Sequence, residues 1–559
     1  MRLVVERSGA FLGGDGAVAA GQLPHHFEGT SPVFQALSGE VQTGPNVFWV
    51  LSALNYAKSS RDFAWLKGYM PKLRLASEFL FGLLQEIPAA EKEEDEQQQQ
   101  GGNEMYSGSS SNGNGNGNGS ALTLAKVPGS LMIDVFLRSN FTTDTNAELV
   151  GFFREFADAE AFLGNATGAA TLRSLADGIA AAMNRHLWCR APADGLSLCN
   201  ETSSSSFSKN DDETEGDHYV TQWNGPSASA PSSTSVSSSS ASTPPSPSSY
   251  DEYRDFVDFD ANLIACAHGV PTDSPEGLAS DDGARARRIL SRIDGTTTPG
   301  VGGQCRASST FVSERYYGPE DVTDGNTGDS WCAMGRIAWF DALSRRFVGD
   351  VEGFESLLLA PLTKQVRATT WMHERLACDG TQQLNRTTAY FEYPSVAAML
   401  LRSVRYGVEL GYGTISVKPF QSSGSSSGSS GGSGGGGGGR GGEKKRDTTK
   451  TTNVSFVYAI NGVRVAFSPT SVAVDLRFGG GGGGGDDCDG IGGDPSTTAV
   501  SLSPVLPNAT FSVRTTTEGG GSGSLLEATS DSAGLLEFSV PTSSPCSRVS
   551  FFAEVKDMK

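Results

Sequence analysis

The chain has 559 residues, 70 of them glycine, and a formal net charge of −20. That acidity excludes a binder of phosphate backbones, which needs a basic surface, and no apolar run is long enough to span a bilayer. Residues 89–122, 201–249, 420–448 and 478–494 are biased towards Gln, Gly, Asn and Ser. Such runs cannot bury enough apolar surface to offset their ordering entropy, which leaves roughly 400 residues for folded structure.

Residues 1–45 read as short strand-like and turn-like pieces that end in GQLPHHFEG and SGEVQTGPN. Gly, Pro and the adjacent His25 and His26 make this loop chemistry, either a functional rim or a structural connection. Residues 46–58 have the apolar period of a helix, with Asn46 as its cap. Residues 62–87 give a second helix, which Pro71 should kink or split.

After the acidic, Gln-rich insert, SLMIDVFLRSNFTTDTNAE carries Asp134 and Asp144. Asp144 or Thr145 suits the cap of a helix running to about Gly164. Asp134 lies between Ile133 and Val135. An apolar setting would raise its pKa towards that of a general acid, and a buried structural carboxylate is the competing reading.

A helix at 171–188 should pair with its predecessor as an antiparallel hairpin. GDHYVTQW, with His218 and Tyr219, stands as a short ordered piece inside the Ser/Thr-rich insert. Asp255, Asp258 and Asp260 precede the next helix, and Asp260 is most simply its cap. These three acids have no further ligands at recognisable metal-binding spacing. More helices are expected at 279–294, 331–347, 351–366 and 394–411.

The loop at 313–330 gathers Glu314, Tyr316, Tyr317, Glu320, Asp321, Asp324 and Asp329. WMHERLACDG sets Trp371 and His373 beside Glu374 and Arg375, and YFEY adds Glu392. Carboxylates beside aromatic walls suit sugar chemistry; they also suit a buried salt bridge. Beyond residue 411 the period changes to that of strands: TISVKPF, TNVSFVYAI, VRVAFS, SVAVDLRF, TFSVRT, LLEFSV and RVSFFAEV.

Eight cysteines are spread without a CxxC pair, so no thiolate metal site is expected. Asn-x-Ser/Thr sites fall at Asn140, Asn165, Asn200, Asn385, Asn453 and Asn508. Residues 1–20 lack the apolar core of a signal peptide. The compartment stays open, with the cytoplasm favoured over the secretory pathway.

The recurrent unit is a helix pair joined by polar loops. The loops before residues 46, 146, 260, 331 and 394 hold nearly all the unusual polar residues. In this order the motifs resemble the six-hairpin, (α/α)6-toroid glycosidases, such as trehalases, processing α-glucosidases, mannosylglycerate hydrolase-like enzymes and the glucosidase part of glycogen debranching enzyme. SLADGIAAAMNRHLW with DHYVTQ, DTNAE at 144–148, RYYGPE at 315–320 and WMHERLACDG at 371–380 carry the resemblance, which covers about residues 20–412.

The resemblance implies a mainly α fold: an (α/α)6 toroid of helix hairpins at 46–412, entered through a rim segment at 1–45 and followed by a small antiparallel β region at 413–559. Six hairpins need twelve helices and about nine or ten are legible, so the missing hairpin is expected either upstream, leaving the ring N-terminally incomplete, or in stretches whose pattern is not legible. It also implies an inverting hydrolysis of an α-linked glucoside or related sugar. Glu374 would be the general base and Asp134 the general acid, their carboxyls about 6.5–9.5 Å apart. The family's SG.D.S.R pattern is absent around Asp134, Tyr317 replaces a tryptophan, and HER replaces HEN at 373–375.

Substrate contacts would come from Trp371, His373, Arg375, Tyr316, Tyr317, Glu320, Asp329, Trp49, His25, His26 and Glu392, with no metal or cofactor. The partner is a carbohydrate, not nucleic acid; the oligomeric state is open. A toroid phosphorylase and a non-catalytic carbohydrate-binding scaffold are the alternatives.

Overall fold

The computed structural model describes residues 2–12, 19–36, 39–60, 62–87, 122–132, 137–138, 140–190, 215–224, 253–254, 258–271, 283–295, 335–360, 363, 400–412, 414–418 and 420, together with strands between 456 and 558. Through residue 405 they are mainly helical: α1 Arg2–Ser8, α2 Gly44–Ser60, α3 Phe63–Phe81, α4 Thr143–Phe162, α5 Ala166–His186, α6 Phe259–Ala267, α7 Ala284–Gly295, α8 Gly335–Val348 and α9 Val351–Gly353. A π-helix, Phe354–Leu359, continues α9, and another spans Leu400–Arg405.

The first residues form α1 where strand-like pieces were expected. The reason is tertiary: Trp49 and Tyr69 both donate to the Val5 carbonyl, at 3.1 Å each, which ties α1 to the first hairpin. α3 runs unbroken through Pro71. The hydrogen bond lost at a proline costs a helix, but Leu66, Met70, Leu73 and Ala76 are buried on both sides of it, so core packing outweighs the break.

The helices pair as antiparallel hairpins. Trp49 meets Tyr69 and Tyr56 meets Trp65 between α2 and α3. Arg173 reaches Asp158, and Arg154 reaches Asp177, between α4 and α5. Alternate helices then run side by side. Thr43 touches Thr145 ahead of α2 and in the first turn of α4, and Lys58 meets Glu155 farther along, so α2 and α4 are parallel. α4 also packs on α6, and α6 on α8. Arg345, fully buried, pairs with Asp341 on its own helix and pins α8 to its neighbours through Asp294 of α7 and Asp350 at the start of α9; burial opposes its charge, and these carboxylates more than offset that.

One asparagine recurs near the start of three of these helices. Asn46 accepts from Leu23 N–H and donates to the carbonyls of Gly21 and Ala76. Asn146 accepts from Ala125 N–H and donates to the carbonyls of Ala125 and Thr142. Asn262 accepts from Tyr219 N–H and donates to the carbonyls of Tyr219 and Asp258. All three are fully buried. Asn46 is therefore not the cap that the sequence suggests: α2 begins two residues earlier, and the side chain clamps the incoming chain to the hairpin. Asn146→Ala would strand several buried backbone groups at about 1–3 kcal/mol each. Urea unfolding should show a lower midpoint for Asn146→Ala and Asn262→Ala alike, with an unchanged slope.

The end of the last expected helix departs from the sequence reading, because Val408–Leu410 is a strand. It opens a four-stranded sheet, ordered Val408–Leu410, Thr414–Val417, Ser496–Leu502 and Leu536–Thr542. A second sheet has six strands, all antiparallel: Phe456–Ile460, Val463–Ser468, Ser471–Arg477, Arg548–Met558, Ala509–Thr517 and Leu525–Thr529. The strand-rich region is thus two sheets rather than one. It is not wholly antiparallel either, since Thr414–Val417 pairs in parallel with Ser496–Leu502.

Candidate functional site

Two polar features lie among α2, α4, α6 and α8. The first joins the first turns of α4 and α6. Arg138 is 4% exposed, and its guanidinium meets Asp144 at 2.8 Å, Asp258 in a short contact and Asp260 at 3.7 Å. Asp144 also accepts from the backbone N–H of Leu131 and of Thr145. Neither Asp144 nor Asp260 caps its helix as the sequence suggests. The N-cap positions belong to Thr142 and Asp258, which make no side-chain capping bond, because the acids turn to a buried arginine. Burial holds the Asp258 carboxyl well above the usual carboxylate range; Arg138 pulls it down and Asp260 pushes it up. Its Oδ1 is buried without a hydrogen-bond partner.

The second feature is a cavity of about 1130 Å³. α2 lines it with Pro45, Phe48, Ser52 and Asn55, and α4 with Glu148, Gly151, Glu155 and Asp158. Spacings of three and four residues put each set on one helix face. Ala267 at the end of α6 and His268 and Gly269 just after it continue the wall, and α8 adds Trp339, Phe340 and Phe347. His25, Gln42, Leu131 and Met132 line it beside the first turns of α2 and α4.

Inside the cavity, His268 Nε2 lies 3.0 Å from Glu148 Oε2. Glu148 is 3% exposed on its side chain and His268 20%. The other acids on the wall have partners. Glu155 meets Lys58 at 2.7 Å and accepts from the Tyr412 hydroxyl at 3.1 Å. Burial, then Glu155, pushes that hydroxyl far above the usual tyrosine range. Asp158 meets Arg173 at 2.8 Å.

Of the residues that the sequence nominates, His25 lines the cavity. His26 stands behind it, the two Nδ1 atoms 2.8 Å apart, with Glu28 3.9 Å from its Nε2. Trp49 is a core residue: it packs against Tyr69, its N–H is spent on Val5, and it does not line the cavity. An amphipathic indole buried with its N–H satisfied is not available to stack on a sugar. Glu374, Asp134, Trp371, His373, Arg375, Tyr316, Tyr317, Glu320, Asp329 and Glu392 lie outside the described residues.

Sequence reasoning passed over Glu148 and His268. Glu148 is the last letter of DTNAE, and His268 precedes Gly269 at a helix end; neither signals the other. Among the described residues no group of three or more His, Cys, Asp or Glu could hold a metal ion, and no helix is long and apolar enough to cross a membrane. Cys189 is disulfide-bonded and Cys266 is a free, buried thiol.

No family model matches the chain, and no curated protein matches it. Among solved structures, a weak neighbour is the GH78 family rhamnosidase of Bacillus sp. GL1, at 12% sequence identity and a TM-score of 0.39. The match covers 78% of this chain and 31% of the rhamnosidase, so the chain spans under a third of that protein's length. A likeness of that size leaves fold and function to be argued from the chain's own residues.

Proposed function

We propose that this chain is a glycoside hydrolase that binds a neutral, α-linked sugar in the cavity between its helix hairpins. The observation that carries the reading is the cavity itself. Aromatic rings from α2 and α8 and carboxylates from α4 face one space of about 1130 Å³, room enough for a small saccharide. The antiparallel hairpins α2–α3 and α4–α5, with α2 and α4 parallel, support an (α/α)6-type ring of helix hairpins at 46–412, preceded by a rim segment at 1–45 and followed by a strand-rich region at 413–559.

In the proposed mechanism Asp134 protonates the glycosidic oxygen and Glu374 draws a proton from a water on the opposite face of the sugar, with inversion. Two features support Asp134 as the acid. Leu131 and Met132, just before it, line the cavity, and Arg138, just after it, is fixed by three carboxylates. Trp371, His373, Arg375, Tyr316, Tyr317, Glu320, Asp329 and Glu392 complete the proposed sugar contacts, with His25 and His26 at the rim.

The test is a hydrolysis screen of α-linked disaccharides, with NMR following the product anomer. The expected result is hydrolysis in phosphate-free buffer, with β-configured product released first. Cleavage that requires phosphate would make the chain a phosphorylase, and cleavage of no disaccharide would make it a binding scaffold.

A further inference from the structure

We infer that His268, oriented by Glu148, is the polar anchor of the cavity, accepting a hydrogen bond at Nδ1 from a hydroxyl of a neutral sugar. The inference rests on the reading of this cavity as the sugar site and names a binding group for it. Three contacts fix the imidazole and a fourth holds its backbone. Glu148 accepts at 3.0 Å from Nε2; a carboxylate there sets the proton on Nε2 and leaves Nδ1 as an acceptor. Arg154 donates at 2.7 Å to the His268 carbonyl. Phe340 meets the ring edge-on. Gly151 supplies the space, because a Cβ there would lie 2.2 Å from both Nδ1 and Cε1.

Glu148 has no arginine or lysine partner among the described residues, and its side chain is 3% exposed. A buried carboxylate paired only with histidine is costly, so a purely structural pair would be better served by apolar residues. His268 nevertheless keeps a face on the cavity. Nδ1 has no hydrogen-bond partner of its own among the described residues. The ligand class follows from the neighbouring charges: Lys58 is engaged by Glu155 and Arg154 by Asp177 and the His268 carbonyl. Among the described residues at the cavity no cation is therefore left over for a phosphate or uronate beside His268, and the lone acceptor suits a hydroxyl.

The experiment is ¹⁵N NMR of the full chain labelled at histidine, with D-glucose and maltose as probes at millimolar concentration. His268→Gln identifies the resonance. The free protein is expected to hold the proton on Nε2, and Glu148→Gln to mix the two tautomers. Sugar should shift the Nδ1 resonance, and His268→Gln should weaken binding, read from tryptophan fluorescence, by roughly tenfold. Gly151→Ala should weaken it comparably without removing a polar atom. A proton on Nδ1 in the free protein, an Nδ1 resonance that saturating sugar leaves unmoved, or wild-type binding by His268→Gln would each overturn the inference. Continued hydrolysis with unaltered KM in His268→Gln would overturn it while sparing the glycosidase reading. Absence of sugar binding in the wild type would overturn it as well, and the disaccharide screen would then decide the glycosidase reading independently.

Discussion

Arg138→Met is expected to lower the stability of the chain by about 3–5 kcal/mol, a large part of what a domain has to spare. The arginine is the cation for three buried carboxylates, Asp144, Asp258 and Asp260, drawn from the first turns of α4 and α6. One positive charge cannot balance three negative ones, and the protein resolves this by keeping Asp258 protonated well above the usual range, chiefly through burial. A carboxyl whose folded pKa is raised contributes stability that is fully present below the unfolded value, about 3.9 for aspartate. That contribution is lost as pH rises through the folded value. Without Arg138 the acids lose their counter-charge, so the loss in Arg138→Met should grow with pH. Asp258→Asn fixes the neutral form; it should flatten the pH dependence of the otherwise native protein and recover part of the stability of Arg138→Met. Urea unfolding at pH 5 and pH 8 measures both effects. A loss of equal size at the two pH values would mean that Arg138 acts by packing and not by charge.

Helix positions were largely legible and long-range partners were not. The apolar period placed α2, α4 and α5 within about five residues, because packing of one helix face dominates there; the helix expected at 62–87 ends at Phe81 instead, and Leu84–Glu86 is a strand. An asparagine near a helix start looks the same whether it caps its own helix or clamps a distant chain. Asn146 takes its partner Ala125 from across an insert boundary, and Asn262 takes Tyr219 from inside a biased segment. Trp49 misled for the same reason: the carbonyl that satisfies its N–H belongs to Val5, in a helix that Gly-rich neighbours hid. Glu148 and His268 sit on different hairpins, and no local pattern joins them. The strands Ser496–Leu502 and Leu525–Thr529 escaped because threonine, serine and glycine surround them and dilute the period-two signal.

Glu374→Gln is expected to cut turnover by about 10²- to 10⁴-fold and to leave the fold intact. Glutamine keeps the shape of glutamate and one acceptor oxygen. It cannot take a proton from water, which is the step assigned to the general base. A salt-bridge role would give a different result, with lower stability or a raised KM and a nearly unchanged kcat. The leaving group separates the proposed base from the proposed acid. Asp134→Asn should be severe on a disaccharide, whose alkoxide leaving group needs protonation, and mild on an aryl glycoside, whose phenolate does not. Glu374→Gln should be equally severe on both, because water attack is needed in either case. If the two variants respond alike to the leaving group, the division of labour between Asp134 and Glu374 is wrong even if both residues matter.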